Sequence, residues 1–369
     1  MLRTKLVCTL GPATSSPEMI ERMVGAGMDL ARINMSHGDH QAHAANIREV
    51  RKAAEATGRP VAVLVDLQGP KIRVGRLAEP IQLEPGQEIT FAPEESHDPA
   101  TELPTTFAGL SGDVGPGVSM LLDDGLLELV CLDTDGDRAR FTVVRGGLLK
   151  SNKGMNLPGV PVSAPSLTEK DLVDLEFGLE QEAEFIGLSF VRKAGDVVDL
   201  KERVGDRTLV VAKIEKVQAV EAIDDILEVA DAVMVARGDL GVEMPLEEIP
   251  LLQKRIIDVA ARRGKPVITA TQMLQSMIEN PSPTRAEVTD VANAVFDGTD
   301  AVMLSGETAI GRYPLKAVDT MQRIIMRAET ALPYESWLEE RKGWTSMGVV
   351  EAVSFAACEL ALQMDATAI

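Results

Sequence analysis

The chain has 369 residues, with 57 acidic and 37 basic side chains and a formal net charge of −20. This length fits two or three domains, and so acidic a chain is not expected to bind nucleic acids or anionic membranes. The three cysteines are scattered, and no apolar stretch approaches the about 20 residues of a membrane span. We therefore expect a soluble, cytoplasmic protein without a signal peptide.

Short runs of apolar and β-branched residues predict eight strands, most of them continuously apolar, as parallel strands buried on both faces are. They lie at Lys5–Leu10, Asp29–Met35, Val61–Leu67, Glu184–Phe190, Thr208–Ile214, Ala232–Ala236, Pro266–Ala270 and Ala301–Leu304. Helical patterns include those at 193–205, 216–229, 250–263, 284–296 and 315–330. This alternation predicts an α/β fold, a (β/α)8 TIM barrel, with an open doubly wound sheet as the alternative.

Local signals predict where some helices begin. Ser16-Pro17-Glu18 places a capping residue and a first-turn proline before one helix, and Ser166-Leu-Thr-Glu169 matches a capping box before another. His40 and His43 follow a Gly-Asp pair, so we expect both on a solvated helix face.

The helical periodicity disappears between about Gly69 and Gly159. Alternating segments separated by turn signals replace it, which indicates a small antiparallel β-barrel domain inserted after strand three. The predicted division is barrel over 1–69, inserted lid over 70–159, barrel over 160–344, and the incomplete start of a C-terminal α/β domain over 345–369. An apolar helix at Ser346–Gln363 and the beginning of a strand at Asp365–Ile369 lead us to expect a fragment.

Polar and charged residues follow six of the predicted strands at their carboxyl ends. These segments are Arg32–His37, Asp66–Arg73, Lys213–Glu215, Arg237–Asp239, Thr269–Gln272 and Ser305–Glu307. Barrels of this type hold their active sites at that end, so the sequence predicts an active site there.

Glu215 and Asp239 follow neighbouring strands and suit Mg2+, which often takes two carboxylates plus water and substrate oxygens. Each could instead pair only with a lysine or arginine. Lys213 points to the same side of its strand as Glu215. A lysine there has three alternative roles: a Schiff-base lysine, a positive charge that binds a phosphate, or a structural ion-pair partner. A metal ion beside it favours the phosphate or oxyanion role. Arg32 fits a second anionic group, and the Thr271 hydroxyl fits a proton relay or an ordinary buried hydroxyl.

Several segments closely resemble the pyruvate kinase family. They are Asp29–Gly38, Ala212–Glu215, Met234–Glu243, Thr269–Leu274 and Met303–Ala309, and Lys153–Gly159 resembles the segment where that family's inserted domain returns to its barrel. The resemblance covers nearly the whole chain in order. It implies a barrel with a β insertion, a homotetramer, and phosphoryl transfer from phosphoenolpyruvate to ADP, giving pyruvate and ATP, with Mg2+ as the metal and Mn2+ as its possible substitute.

The resemblance also implies roles for single residues. Lys213, Thr271 and Arg32 would be catalytic: Lys213 would stabilise the transferring phosphoryl group and the enolate oxygen, and Thr271 would belong to the relay that protonates the enolate. The metal would be bound by Glu215 and Asp239. The substrate would be held by Arg32, Lys213, Gly238, Asp239 and Thr271, and the nucleotide phosphates by Arg32, His37, Arg73 and Lys153.

One departure from the family concerns a monovalent cation. Members that are activated by K+ hold it at positions equivalent to Asn34, Ser36, Asp66 and the Leu67 carbonyl, and they typically carry a glutamate where this chain has Lys71. A tethered ammonium supplies the charge that K+ otherwise brings, so we expect K+-independent activity. The alternative is that Lys71 is a solvated loop charge.

Two other functions remain open from the sequence. A metal-dependent aldolase or lyase acting on pyruvate enolates would share the barrel and the metal, but it would not need a lid that carries Arg73 and Lys153. A catalytically silent binding subunit would have been free to lose the catalytic residues assigned above.

Overall fold

The computed structural model describes residues 2–341, 348–364 and 366. The strands are β1 (Lys5–Thr9), β2 (Leu30–Asn34), β3 (Ala62–Asp66), β4 (Ile81–Leu83), β5 (Glu88–Pro93), β6 (Glu102–Thr105), β7 (Ser119–Leu122), β8 (Leu127–Asp135), β9 (Arg138–Arg145), β10 (Gly147–Leu149), β11 (Met155–Asn156), β12 (Phe185–Leu188), β13 (Leu209–Ile214), β14 (Ala232–Ala236), β15 (Val267–Ala270) and β16 (Ala301–Leu304).

The helices are α1 (Pro17–Ala26), α2 (His40–Thr57), α3 (Leu110–Asp113), α4 (Glu169–Glu180), α5 (Ala194–Val204), α6 (Val217–Glu221), α7 (Ile223–Val229), α8 (Arg237–Glu243), α9 (Ile249–Arg262), α10 (Arg285–Phe296), α11 (Gly306–Ala309), α12 (Pro314–Glu329), α13 (Tyr334–Arg341) and α14 (Val349–Gln363). Short 3-10 helices lie at Gly205–Arg207, Leu246–Glu248 and Gln275–Ile278.

Eight parallel strands close into a barrel in the order β1, β2, β3, β12, β13, β14, β15, β16. The pairing of β1 with β16 closes the sheet, so the TIM barrel is confirmed and the open doubly wound sheet is wrong. All eight predicted barrel strands are present, each within two residues of its predicted ends. Continuous apolar runs were a reliable signal because these strands are covered by helices outside and by each other inside.

The barrel interior has an apolar layer below a polar one. Val7, Leu64 and Val211 belong to an apolar cluster distinct from the larger one that the outer helices help to form. Asp66 and Lys213 stand two residues further along the same strands as Leu64 and Val211, and alternation along a strand directs them to the same side. The apolar layer therefore closes the barrel beneath the charged groups at its carboxyl end.

Strands β4 to β11 lie between β3 and β12 in sequence and form two further sheets, one in the order β11, β7, β8, β9, β5, β6 and one of β10 with β4. Their core includes Phe91 and Phe141, whose rings meet edge to face at 5.8 Å. The predicted antiparallel insertion is confirmed, except that β5 and β6 pair in parallel. The domain bounds at 69/70, 159/160 and 344/345 stay predictions.

Helix starts agree with the sequence signals in one case and depart in another. Ser16 caps α1 and Pro17 occupies its first turn, as predicted. The capping box of α4 is formed by Thr168 and Asp171, so its prediction at 166–169 is wrong by two residues. The other carboxylate oxygen of Asp171 accepts the Gly69 N–H (3.0 Å), so this residue also connects the start of the helix to the segment that follows β3. The helix predicted at 216–229 is divided into α6 and α7.

The carboxyl-terminal part carries α14, which matches most of the helix predicted at 346–363. Several of its apolar side chains are exposed, among them Val349, Val350 and Leu360. The strand predicted at 365–369 lies outside the described residues. Among the residues that the structure describes, no helix combines the length and the apolar character needed to cross a membrane.

Acidic residues satisfy backbone groups at the amino end of the barrel. Asp29, Glu184, Asp231 and Asp300 each directly precede a strand, namely β2, β12, β14 and β16. Their carboxylates accept backbone N–H groups from the strand before in the barrel, at Leu6 (3.0 Å), Val63 (2.7 Å), Val210 (2.8 Å) and Val267 (2.8 Å). Each carboxylate supplies a partner to a strand-end donor and fixes two neighbouring strands together.

We expect Asp231→Ala to lower the free energy of unfolding by about 1–3 kcal/mol, because the Val210 N–H loses its acceptor and Lys201 loses its ion-pair partner. Urea unfolding and hydrogen exchange at the Val210 amide measure this. The matched control is Asp199→Ala, an exposed aspartate on α5, which should change stability by no more than about 0.5 kcal/mol. Equal effects of the two substitutions would contradict the clamp.

Candidate active site

Asp66, the last residue of β3, is the centre of the charged cluster. Its carboxylate is 1% exposed and meets Arg32 of β2 through Nε (2.7 Å) and Nη2 (2.6 Å), both on Oδ2. Its Oδ1 lies 3.2 Å from the Lys213 ammonium. Arg32 also donates from Nη1 to the Thr9 hydroxyl (3.0 Å). Three strand ends are thus connected through one carboxylate.

Lys213 is buried and fully engaged. Its Nζ lies 2.8 Å from Glu215 Oε1 and donates to the Ser189 hydroxyl (2.7 Å), which in turn donates to the Leu67 carbonyl (2.7 Å). Burial alone would lower the pKa of Lys213, but the carboxylates of Asp66 and Glu215 raise it above the ordinary lysine value. The side chain is therefore a fixed ammonium, which suits a role as a positive charge and disfavours the nucleophilic amine of a Schiff base.

The two carboxylates beside Lys213 have different electrostatic surroundings. Burial would raise the pKa of Asp66, but the positive charges of Lys213 and Arg32 outweigh it and lower that pKa. The pKa of Glu215 is raised, first by burial and further by the Asp239 carboxylate, against the opposing effect of Lys213. Positive charge therefore compensates Asp66 more fully than Glu215.

The pair Glu215 and Asp239 fits a divalent cation. Glu215 is 2% exposed and its Oε2 accepts the Phe190 N–H (2.8 Å), which fixes the carboxylate. Within the described residues, no group of three or more His, Cys, Asp or Glu side chains is arranged to hold a metal. A pair of carboxylates is nevertheless a donor set that Mg2+ uses, because substrate oxygens and water complete its shell.

The ends of β14 and β15 bring Gly238 and Thr271 into contact. The Gly238 N–H donates to the Thr271 hydroxyl (2.7 Å), and that hydroxyl donates to the Ala270 carbonyl (2.7 Å). Thr271 has φ +67°, a left-handed conformation that a β-branched residue rarely adopts. The two residues predicted to hold one substrate group are therefore adjacent, and the backbone at Thr271 is strained.

A cleft of about 250 Å3 lies between the barrel end and the segments of the insertion. Its lining includes Lys71, Arg73, Lys216 and Asp239. Lys153 stands beside lining residues and pairs with Asp123 at 2.7 Å. The cleft thus brings basic side chains of the insertion to the same space as Asp239 of the barrel.

His37 stands among cations. Its pKa is lowered, first by burial and then by the positive charges of Lys71, Arg73 and Arg32. This cluster of positive charge suits an anion such as a phosphate group. The prediction that His43 is solvated is wrong, because it is 8% exposed with its Nε2 2.8 Å from the His37 carbonyl.

The residues predicted around a monovalent cation or its lysine substitute are close together. Lys71 Nζ donates to the Ser36 hydroxyl (3.1 Å), and the Ser36 N–H donates to Asn34 Oδ1 (3.1 Å). Burial lowers the pKa of Lys71, and the nearby charges of Lys213 and Arg73 lower it further. Lys71 is therefore a half-buried charge beside the cluster, and the interpretation as a solvated loop charge is wrong.

Sequence reasoning missed two residues at the end of β12. The predicted strand ran through Ser189 and Phe190, but β12 ends at Leu188, so both belong to the carboxyl-end loop. Ser189 contacts Lys213, and Phe190, with φ +55°, directs its N–H to Glu215. The available signal was the serine that interrupts an apolar run, at a position corresponding to the six strand ends that carry polar groups.

Residues 1–318 match the family model described as the pyruvate kinase barrel domain. The chain belongs to the pyruvate kinase family. Members of this family use a divalent metal ion, in accord with the carboxylate pair.

Three relatives, each named pyruvate kinase, show how far the similarity extends. The chain is 47% identical to the protein of Geobacillus stearothermophilus over all of its own length and 64% of the relative's. It is 52% identical to that of Mycobacterium intracellulare, over its whole length and 78% of the relative's. It is 52% identical to that of Corynebacterium glutamicum, over 89% of this chain and 70% of the relative's. The chain therefore spans about two thirds to four fifths of these proteins.

Proposed function

We propose that the protein transfers the phosphoryl group of phosphoenolpyruvate to ADP, giving pyruvate and ATP. The observation that carries this proposal is the buried Lys213 ammonium, fixed by Asp66, Glu215 and Ser189 at the carboxyl end of the barrel. Phosphoryl transfer depends mostly on positioning and on neutralising negative charge, which a rigid ammonium beside Arg32 supplies. The comparisons favour neither the aldolase or lyase nor the silent binding subunit.

In this proposal the basic side chains have different roles according to their position. Arg32 and Lys213 hold the phosphoryl group, and Lys213 also stabilises charge on the enolate oxygen. His37, Arg73 and Lys153 bind the nucleotide phosphates from the cleft. Arg73 of the insertion and Asp239 of the barrel both line the cleft, so substrate binding between the two domains favours closure, which excludes water from the transferring phosphoryl group.

Glu215 and Asp239 hold the divalent metal, which we propose to be Mg2+, with Mn2+ as a substitute. When bound, the metal supplies positive charge to oxygens of the substrate carboxylate and enolate. The Gly238 N–H and the Thr271 hydroxyl bind the substrate carboxylate in place of their present mutual hydrogen bond. Thr271 then relays a proton from solvent to the enolate carbon.

We expect Lys213→Met to lower kcat by at least about a thousandfold, because the methionine fills the volume but removes the charge that stabilises the transition state. Pyruvate formation from phosphoenolpyruvate, ADP and Mg2+ measures it.

The matched control is Lys201→Met, which removes a lysine that pairs with an aspartate at the opposite end of the barrel (2.7 Å). It should retain kcat within about threefold. Retention of full activity by Lys213→Met would contradict the proposed function, as would a folded unmodified chain that does not bind phosphoenolpyruvate with Mg2+ present.

We also propose that activity does not require K+, because the Lys71 ammonium occupies the neighbourhood of Ser36 and Asn34. Saturating K+ should change kcat by less than about twofold relative to tetramethylammonium at equal ionic strength. Lys71→Glu should make turnover dependent on K+, because it replaces the tethered charge by one that attracts a free cation. Activation of the unmodified chain by K+ of about tenfold or more would overturn this proposal.

Three further features are proposed with the activity. The substrates are phosphoenolpyruvate and ADP, the protein assembles as a homotetramer, and it works in the cytoplasm. The cytoplasmic location is supported by the cysteines, since Cys8, Cys131 and Cys358 are free thiols. Sedimentation of the purified protein tests the tetramer.

A further inference from the structure

Two consecutive residues at the end of β15 adopt an unfavourable backbone conformation. Thr271 has φ +67° and Gln272 has φ +55°, and neither is a glycine. Such conformations persist only where surrounding contacts enforce them, and they concentrate where a group must be aimed. The contacts that hold this turn therefore determine where the Thr271 hydroxyl lies.

Arg237, the first residue of α8, makes those contacts. Its Nη2 donates to the Thr271 carbonyl (2.9 Å) and its Nε donates to the Ala270 carbonyl (3.3 Å). Nη2 also lies 2.7 Å from the Met273 sulfur. One guanidinium thus contacts three residues across the strained turn.

Asp290 of α10 fixes the guanidinium in turn. Its Oδ1 accepts from Arg237 Nη1 (2.7 Å) and its Oδ2 from Nη2 (2.8 Å), and Gln253 Oε1 accepts a longer bond from Nη1 (3.3 Å). The Arg237 side chain is 11% exposed. A bidentate pair of this kind restricts orientation as well as distance, which a lysine ammonium does not.

The position of Arg237 in the sequence connects both substrate loops. It directly precedes Gly238 and Asp239, while its side chain holds the turn that contains Thr271. Arg237 therefore connects the turn that carries the Thr271 hydroxyl with the strand end that carries the Gly238 N–H, which lie 2.7 Å apart. No step proposed above uses Arg237 or Asp290.

We propose that Arg237, oriented by Asp290, is a positioning residue for proton transfer to the enolate, an inference that rests on the proposed function. In that step the enolate oxygen forms the ketone carbonyl and the terminal carbon forms a C–H bond. The proton comes from the Thr271 hydroxyl, which regains one from solvent. Arg237 contacts neither substrate nor metal in this scheme. It orients the Thr271 hydroxyl.

The test compares proton transfer with substrate binding. Exchange of the pyruvate methyl protons with D2O, followed by proton NMR in the presence of Mg2+ and ATP, reports the protonation step in reverse. Arg237→Lys should slow this exchange by about 10- to 100-fold, the scale expected for a small misplacement of a reacting group, while the KM for phosphoenolpyruvate changes by less than about threefold. Asp290→Asn, which keeps the arginine, should act in the same direction with a smaller effect.

Arg51→Lys is the matched control. Arg51 also binds a carboxylate through two nitrogens, at Glu184 (2.7 and 3.0 Å), and donates to the carbonyls of Val61 and Glu182, but at the amino end of the barrel. Arg51→Lys should leave the exchange rate of the pyruvate methyl protons unchanged, even where it lowers the stability of the protein.

Three outcomes would overturn the inference: exchange at the unmodified rate in Arg237→Lys, a loss matched by Arg51→Lys, or a loss confined to the KM for phosphoenolpyruvate. If Arg237→Lys does not fold, Asp290→Asn decides by the same measurement. A folded unmodified chain that neither consumes phosphoenolpyruvate nor exchanges pyruvate protons would instead refute the proposed function, and this inference with it.

Discussion

The site depends on one buried carboxylate that two cations share. Asp66 is held between Arg32 and Lys213, so opposite charges lie in contact at the carboxyl end of the barrel. Unpaired, any of the three groups would be costly to bury, so each fixes the others. The apolar layer beneath them, which includes Leu64 and Val211, keeps these charges at the carboxyl end, where we propose that substrate binds. The packing of the barrel, together with these ion pairs, therefore keeps Lys213 a fixed ammonium.

The barrel was predictable because its signals are local and repeated. Buried parallel strands are continuously apolar, and eight of them alternate with helices, so an error of a residue or two at any end did not change the architecture. Elements governed by distant partners were not predictable in this way. The parallel pairing of β5 with β6 depends on which strands meet, and the start of α4 depends on the bond from Gly69 to Asp171. The carboxylates that clamp the amino ends, such as Asp231, were visible only as residues preceding strands.

The same distinction holds for the candidate site. Lys213, Glu215, Asp239 and Thr271 could be selected because each stands at a strand end, and the family resemblance assigned their roles. Ser189 and Arg237 act through contacts with residues remote in sequence, so the sequence around them placed them near strand ends but did not show which residues they contact. The strain at Thr271 is a property of the backbone, and the residue type does not indicate it. The sequence thus indicates the candidate site residues at the strand ends more readily than the residues that position them.

The most direct test of this account is the kcat of Asp66→Asn, with circular dichroism as the check on folding. The amide keeps the shape of the side chain, but its NH2 must face a donor of either Arg32 or Lys213, so one cation is displaced. We predict a folded protein whose kcat for pyruvate formation falls by about a hundredfold or more, the scale of a misplaced catalytic group. A folded variant with kcat within about threefold of the unmodified chain would contradict the view that this shared carboxylate organises the site.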